Sequence, residues 1–194
     1  GITVRPIPQL NGLPGFAEIF FDEVRVPAFN LLGGEGEGWR IAMATAGFER
    51  GLMLRSPARF QQAAKRLVEL YRSRSNEVLD PSIEDAVLRC YMDAEAYALS
   101  TYQTASLLCG GGSIGPEASC NKIFWSELDL LIHETAMKLL GARGEIEPQT
   151  AQEFGDLGTW LDGFMFAQSG PIYAGTNEIQ RNIIAERMLG MPRK

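Results

Sequence analysis

Residues 173 to 178, with the sequence YAGTNE, combine small residues with a helix start and could hold a negative charge. Ala174 and Gly175 have almost no side chain, so a ligand can approach the backbone closely there. Thr176 or Asn177 can cap the helix that the following residues predict. Unpaired N–H groups at the positive end of a helix suit an anion or a developing oxyanion. The same residues also fit an ordinary helix start without a ligand.

Three further features could carry chemistry, and each has a simpler structural interpretation. His133 is the only histidine and lies in an apolar helical pattern, so we expect a hydrogen-bonded core or groove histidine. Glu49 precedes Arg50 on a predicted helix, where such a pair is usually a solvated surface charge. The glycine-rich residues 33–38 lack the Gly-Lys-Ser/Thr of a P-loop and lead into helical sequence. We therefore expect a connector from strand to helix there.

Composition and charge disfavour several functional classes. Cys90, Cys109 and Cys120 show no CxxC spacing and have no companion histidine, so no metal site is predicted and a reducing cytoplasm is the expected compartment. A net charge of −6 without a basic face disfavours nucleic-acid binding. No apolar run approaches the roughly 20 residues that cross a bilayer, so no membrane association is predicted. Gly1 opens the chain inside strand-like sequence, which indicates a piece of a longer protein.

Hydrophobic periodicity predicts a mostly helical chain after a short β region. Residues 2–7 and 18–27 are rich in β-branched and aromatic residues and predict a hairpin-like pair of strands. Asp80 is the predicted N-cap of a helix. We predict strong helices at 39–72 (with Pro57 as an internal breaker), 80–108, 116–140 and 176–189, and weaker helical content at 160–167. The predicted fold is all-α, an antiparallel four-helix bundle preceded by a short β-hairpin.

Two long segments resemble the carboxy-terminal half of an acyl-CoA dehydrogenase. They are FFDEVRVPAFNLLGGEGEGWRIAM, residues 20–43, and IYAGTNEIQRNIIAERMLGMPR, residues 172–193. Family membership implies an FAD enzyme with an amino-terminal helical domain, a middle β-domain and a carboxy-terminal helical bundle. By this resemblance residues 1–34 are the last strands of the middle domain, and residues 35–194 are the bundle domain.

The resemblance also implies a reaction, the α,β-dehydrogenation of an acyl-CoA thioester to the trans-2-enoyl-CoA. Many members carry the catalytic glutamate at the position of Ala174, whereas isovaleryl-CoA and long-chain-like members place it on the first bundle helix, here Glu49. The Ala174 N–H would bind the thioester carbonyl. The resemblance assigns Arg50, Tyr173 and Gly175 to the substrate site, and Thr176 and Glu178 to the approach to the flavin.

Two family motifs are altered, and they leave a second function open. The RxxFG flavin-contact motif is absent near residues 72–76, and the QxxGGxG motif is reduced to KLLGARG at 138–144. One alternative is therefore a non-catalytic or half-site partner subunit of a hetero-oligomeric dehydrogenase. A generic helical interaction bundle is another. The expected partners are an acyl-CoA substrate, an electron-transfer flavoprotein or similar acceptor, and further subunits in a homodimer, tetramer or hetero-oligomer.

Overall fold

A computed structural model describes residues 1–49, 55–74, 80–145 and 157–193 of the chain. The chain divides into two compact units, Gly1–Glu49 and Arg50–Lys194, and each is described by itself. The described residues are mostly helical with one two-stranded antiparallel sheet, which confirms the predicted fold class. The domain boundary predicted after residue 34 stays a prediction.

The first unit begins with a β-hairpin. Strands β1, Ile2–Pro8, and β2, Pro14–Phe21, pair antiparallel, with Ile2 opposite Phe21 and an irregularity between Ile7 and Pro8. The prediction of a strand continuing to residue 27 was wrong, since β2 ends at Phe21. Glu23 adopts a left-handed φ of 47°, which interrupts the extended backbone that a strand requires.

The glycine-rich segment leads directly into the first helix, as the sequence predicted. Helix α1 spans Gly38–Glu49. Ahead of it, Oε2 of Glu37 accepts a hydrogen bond from the Gly34 N–H at 2.8 Å, and Oε1 pairs with Arg40 at 3.0 Å. These two contacts of the Glu37 side chain hold the connector in its observed conformation without a bound phosphate.

The described residues of the second unit form five α-helices. The single helix predicted for residues 39–72 was wrong, because Arg55 and Ser56 are not helical and Pro57 starts a new helix. Proline is favoured at the first helical position, where its missing N–H leaves no bond unmade. The helices are α2, Pro57–Ser73; α3, Pro81–Cys109; α4, Ala118–Leu140; α5, Leu157–Ala167; and α6, Asn177–Ile183, which continues as a π-helical turn over Ile184–Met188.

Helix α4 lies at the centre of this unit and packs against α2, α3, α5 and α6. Its Trp125 and Ile132 are buried with Phe60 and Leu67 of α2 and Tyr97 of α3. The Phe60 ring meets Tyr97 edge-on at 5.2 Å between centroids. Aromatic pairs stabilise a core beyond their buried area. Trp125 adds a stacked contact with Phe60 at 6.5 Å between centroids, which anchors α4 in this core.

Within the described ranges, no helix is long and apolar enough to cross a membrane. The same part of the chain holds no group of three or more histidine, cysteine or acidic side chains arranged for a metal ion. All three cysteines are free thiols, of which Cys90 is buried, and burial raises the pKa of that thiol to about 11.

Candidate functional site

The turn between α5 and α6 contains two successive residues in the left-handed conformation. Ala174 has φ of 54° and Gly175 has φ of 80°. Gly175 suits glycine because of its φ, and a Cβ there would lie 2.8 Å from Nε2 of Gln180, so a larger residue would also displace that amide. Alanine in this region costs about 1 kcal/mol or more, and such conformations cluster at functional sites.

Side chains from the start of α6 hold this turn. Nε2 of Gln180 donates hydrogen bonds to the carbonyl oxygens of Ala174 (3.1 Å) and Gly175 (3.3 Å). The Asn177 N–H donates to the carbonyl of Pro171 at 2.9 Å. Ala174 itself is exposed, and no acceptor among the described residues bonds its N–H. The carbonyl side of the turn is therefore fixed, while the alanine backbone can be reached from solvent.

Thr176 is the N-cap of α6, one of the two caps that the sequence allowed. Its Oγ1 accepts a hydrogen bond from the Ile179 N–H at 3.3 Å. Glu178 lies in the first turn and is exposed. A hydrogen bond from its own backbone N–H, with a smaller contribution from Thr176, lowers the pKa of the Glu178 carboxyl. Glu178, two residues after the cap, is therefore a carboxylate at neutral pH.

A buried polar cluster, formed by Lys122, Ser126 and Asn177, lies under the turn. Lys122 Nζ donates to the Gly170 carbonyl at 2.9 Å and to Oδ1 of Asn177 at 2.7 Å. Nδ2 of Asn177 donates to Oγ of Ser126 at 3.1 Å. Burial lowers the pKa of the Lys122 ammonium, and the nearby charge of Glu178 opposes that shift.

Tyr173 is held by an arginine that the sequence did not single out. The Arg55 guanidinium donates to the Tyr173 hydroxyl and lies 5.2 Å from the ring centroids of both Tyr173 and Trp125. Tyr97 donates its hydroxyl hydrogen to the Arg55 carbonyl at 2.9 Å. Burial raises the pKa of the Tyr173 phenol although Arg55 and Arg59 oppose the rise, so the phenol is neutral at physiological pH.

His133 is a satisfied core histidine, as predicted. It is buried on α4, and its Nδ1 lies 2.8 Å from the carbonyl oxygen of Asp129, so Nδ1 carries the hydrogen. The Asp129 carboxylate is buried and pairs with Arg59 at 3.0 Å. Gly163 leaves room for the imidazole, because a Cβ there would lie 2.2 Å from Nε2. These contacts give His133 a structural role in the core.

The buried polar residues of α4, of which the sequence predicted only His133, share one signal. Lys122, Ser126, Asp129 and His133 recur at the three- and four-residue spacing of the buried face of α4. Polar residues on a core-facing stripe must find partners, and these four do. Their common spacing could have marked the buried polar face of α4, although not its partners on the turn.

The predicted site residues are only partly brought together. Residues 173–176 and Glu178 lie on the turn and the start of α6. Glu49 is the last residue of α1, but its side chain lies outside the described part of the chain. Arg50 lies outside the described residues altogether. The roles of Glu49 and Arg50 therefore stay predictions.

Comparison with known proteins extends along the whole chain. The chain is 36% identical over 198 residues to acyl-CoA dehydrogenase IpdE1 of Mycobacterium tuberculosis, which covers 100% of this chain and 49% of that protein. The solved Tcur3481–Tcur3483 steroid ACAD has a TM-score of 0.83 and 22% identity, over 100% of this chain and 50% of that one. The ChsE4–ChsE5 complex from Mycobacterium tuberculosis has a TM-score of 0.79 and 25% identity, with the same coverage.

The chain thus spans about half the length of the relatives it matches. The family model described as "Acyl-CoA dehydrogenase, C-terminal domain" matches residues 36–189, which include every described residue of the turn and of α1 to α6. With this match and the relatives above, the chain belongs to the acyl-CoA dehydrogenase family and carries its carboxy-terminal domain.

Proposed function

We propose that this chain is the carboxy-terminal part of an FAD-dependent acyl-CoA dehydrogenase that converts an acyl-CoA to its trans-2-enoyl-CoA. The observation that carries the proposal is the left-handed turn at Ala174 and Gly175. The turn presents the backbone N–H of the exposed Ala174 at a point with no side chain larger than a methyl group, and Gln180 holds the carbonyls of Ala174 and Gly175. Such a preorganised donor suits a carbonyl oxygen that gains negative charge.

The chain's own residues would share the chemistry as follows. The Ala174 N–H donates a hydrogen bond to the thioester carbonyl and stabilises the enolate-like transition state. The Glu49 carboxylate removes the α-proton. A carboxylate desolvated beside an acyl chain has a raised pKa and becomes a better base, whereas the positive charge of Arg50 would lower that pKa. Alanine at 174 leaves the space that a glutamate fills in other members.

The residues at the start of α6 fit an accessory role toward a flavin. FAD, when bound, supplies the acceptor for the hydride that leaves the β-carbon. Thr176 is partly exposed and Glu178 is exposed, so a hydroxyl and a carboxylate are reachable at one place. Neither residue is cationic, and Lys122 is fully buried. The exposed cationic side chain of α6, Arg181, pairs with Glu127 at 2.6 Å.

Glu49→Gln in the full-length protein tests the assignment of the base. We expect flavin reduction by acyl-CoA to fall about 10²- to 10⁴-fold, because the amide cannot accept the α-proton. Flavin absorbance should stay unchanged, since the substitution keeps the side chain's shape. Glu69→Gln, at an exposed position of α2, is the matched control and should reduce normally. Wild-type reduction kinetics in Glu49→Gln would remove Glu49 from the mechanism.

A second candidate is a partner subunit in a hetero-oligomer, without its own complete flavin site. It is favoured by the similarity to structures described with two named chains, Tcur3481–Tcur3483 and ChsE4–ChsE5. The two altered flavin motifs agree with it. A full-length protein that purifies yellow as a homo-oligomer supports the complete enzyme. A colourless protein that becomes yellow only with a second polypeptide supports the partner subunit.

The acyl group is the remaining specificity question. One structural match is described as a steroid ACAD, so a bulky, steroid-derived acyl-CoA is the substrate class to test beside straight chains of increasing length. Flavin bleaching of the full-length protein reports each candidate directly. The 194 residues alone should bind FAD poorly and lack activity, because they span only about half of a family member. An electron-transfer flavoprotein remains the expected acceptor, and a cytoplasmic location remains a prediction.

A further inference from the structure

A fully buried lysine under the Ala174 turn has no role in the proposed chemistry. Lys122 of α4 has a relative exposure of 0%. Its ammonium donates to the carbonyl of Gly170, just before the turn, and to the side chain of Asn177, just after it. A single cation therefore connects the central helix to both ends of the turn.

Core packing alone does not explain a lysine here. Taking an ammonium out of water is unfavourable, and an apolar side chain of similar volume is often at least as stabilising in a buried position. Lys122 also lies 5.8 Å from the ring centroid of Trp125, which offers it a cation–π contact. The two directed hydrogen bonds from its ammonium explain a lysine at this position, because a methionine or leucine cannot make them.

The partners of Lys122 are themselves fixed. Nδ2 of Asn177 donates to Oγ of Ser126 at 3.1 Å, and the same Oγ lies 3.2 Å from the Oδ1 that accepts from Lys122, so Ser126 and Lys122 together hold the Asn177 amide. Asn177 and Gln180 are each only 3% exposed. Lys122 and Asn177 hold the ends of the turn, while Gln180 holds the carbonyls of Ala174 and Gly175 at its centre.

We propose that Lys122 is a positioning residue, which acts through Gly170 and Asn177 to hold the Ala174 N–H where a thioester carbonyl binds. This inference rests on the proposed function of the turn. A donor displaced by about 1 Å from its productive position can lower a rate on the order of 10²-fold. Lys122 touches neither substrate nor reacting atoms, so its effect must appear as misplacement of the donor.

The test uses the full-length holoprotein, with a second subunit if the flavin requires one. Lys122→Met keeps the approximate length of the side chain and removes its three donors. We expect flavin reduction at saturating acyl-CoA to slow about 10- to 100-fold. The apparent KM should change far less, because the donor acts mainly in the transition state.

A spectroscopic measurement separates positioning from general destabilisation. The infrared band of bound enoyl-CoA labelled with ¹³C at the thioester carbonyl reports the hydrogen bond from Ala174. We expect the band to move back toward its position in free enoyl-CoA in Lys122→Met, and Lys122→Arg, which keeps cationic donors, to restore much of the shift. Lys65→Met, at an exposed position of α2, should leave rate and band unchanged.

A folded Lys122→Met with the wild-type rate and an unmoved carbonyl band overturns the inference. If Lys122→Met does not fold, Asn177→Ala decides, since it removes the amide that the ammonium holds. A wild-type rate and band in that variant overturn the inference equally. A wild-type protein that binds acyl-CoA without reducing its flavin contradicts the proposed function. In that case the shift of the carbonyl band in Lys122→Met still tests whether Lys122 positions the Ala174 N–H. A wild-type protein that binds no acyl-CoA overturns both.

Discussion

Helices α3 and α6 begin with the same device and differ in what surrounds it. At α3, Oδ1 of Asp80 accepts from the Ser82 N–H at 2.9 Å, and Pro81 occupies the first helical position. At α6, Oγ1 of Thr176 accepts from the Ile179 N–H at 3.3 Å. Each cap satisfies one of the N–H groups that a helix leaves without an internal partner. The start of a helix needs no more than this.

The start of α6 nevertheless has more. Two left-handed residues precede its cap, and one of them is an alanine. Three almost fully buried polar side chains, Lys122, Asn177 and Gln180, bond the backbone or one another around it. Backbone strain persists only where the surroundings over-determine it. The start of α6 therefore has more fixed hydrogen bonds than a cap requires, and this difference from α3 is what we expect of a functional site. Substitutions at the two helix starts test it.

Among substitutions at the two helix starts, the largest effect is expected for Gly175→Ala. An alanine Cβ would have to tolerate φ of 80° and would lie 2.8 Å from Nε2 of Gln180. We expect a loss of about 1–3 kcal/mol in the free energy of unfolding. Displacement of Gln180 should also slow flavin reduction in the full-length protein roughly 10- to 100-fold. Chemical denaturation and single-turnover kinetics measure the two quantities.

Gly111, two residues after the end of α3, is the matched control. Its φ of 83° is nearly that of Gly175, but a Cβ there would meet nothing within 4 Å. Gly111→Ala therefore carries only the conformational penalty, about 1 kcal/mol, and should reduce its flavin at the wild-type rate. Equal rates for the two alanine variants would mean that Gln180 does not hold a functional turn.

An intermediate effect is expected when each cap is removed. Thr176→Ala should destabilise the protein by about 1 kcal/mol, and Asp80→Ala should destabilise it in the same direction. The two variants should differ in flavin affinity, because Thr176 is proposed to approach the flavin and Asp80 has no such role. Thermal unfolding and flavin titration of the full-length variants give both readouts. Equal flavin affinity in both variants would mean that Thr176 caps α6 and does not contact the flavin.

The same contrast explains what the sequence could predict. Asp80 and Thr176 were predictable, because a cap depends on residues within one turn of the helix. The break between α1 and α2 was missed because the apolar period continues on both sides of Pro57, although proline at a first helical position was the available signal. Lys122 and Arg55 could not be assigned to the turn, since their partners lie 48 or more residues away along the chain. Tertiary partners leave no local pattern.

In the first unit, the sequence predicted the strand pairing but not the point at which β2 ends. The pairing of β1 with β2 followed from composition and alternation, and it is observed. The end of β2 did not follow, because Val24 and Val26 continue the alternating pattern past the left-handed Glu23. Propensity describes what a residue tolerates, whereas the end of a strand depends on one backbone angle. The role of Glu49 rests on its position within a family motif, and the Glu49→Gln variant tests it.

The smallest expected effect concerns acid. A hydrogen bond from the Ser82 backbone N–H lowers the pKa of Asp80, and the backbone N–H of Glu178 lowers the pKa of that carboxyl. A group with a lowered folded pKa contributes stability above its unfolded pKa and loses it as the pH falls through the folded pKa. We therefore expect Asp80→Asn and Glu178→Gln each to flatten slightly the decline of stability from about pH 5 to pH 3. Both carboxyl groups are exposed, so both changes should be small. Only Glu178→Gln should also alter the visible spectrum or affinity of the flavin, and a variant at Asp80 that altered either would remove the distinction between the two helix starts.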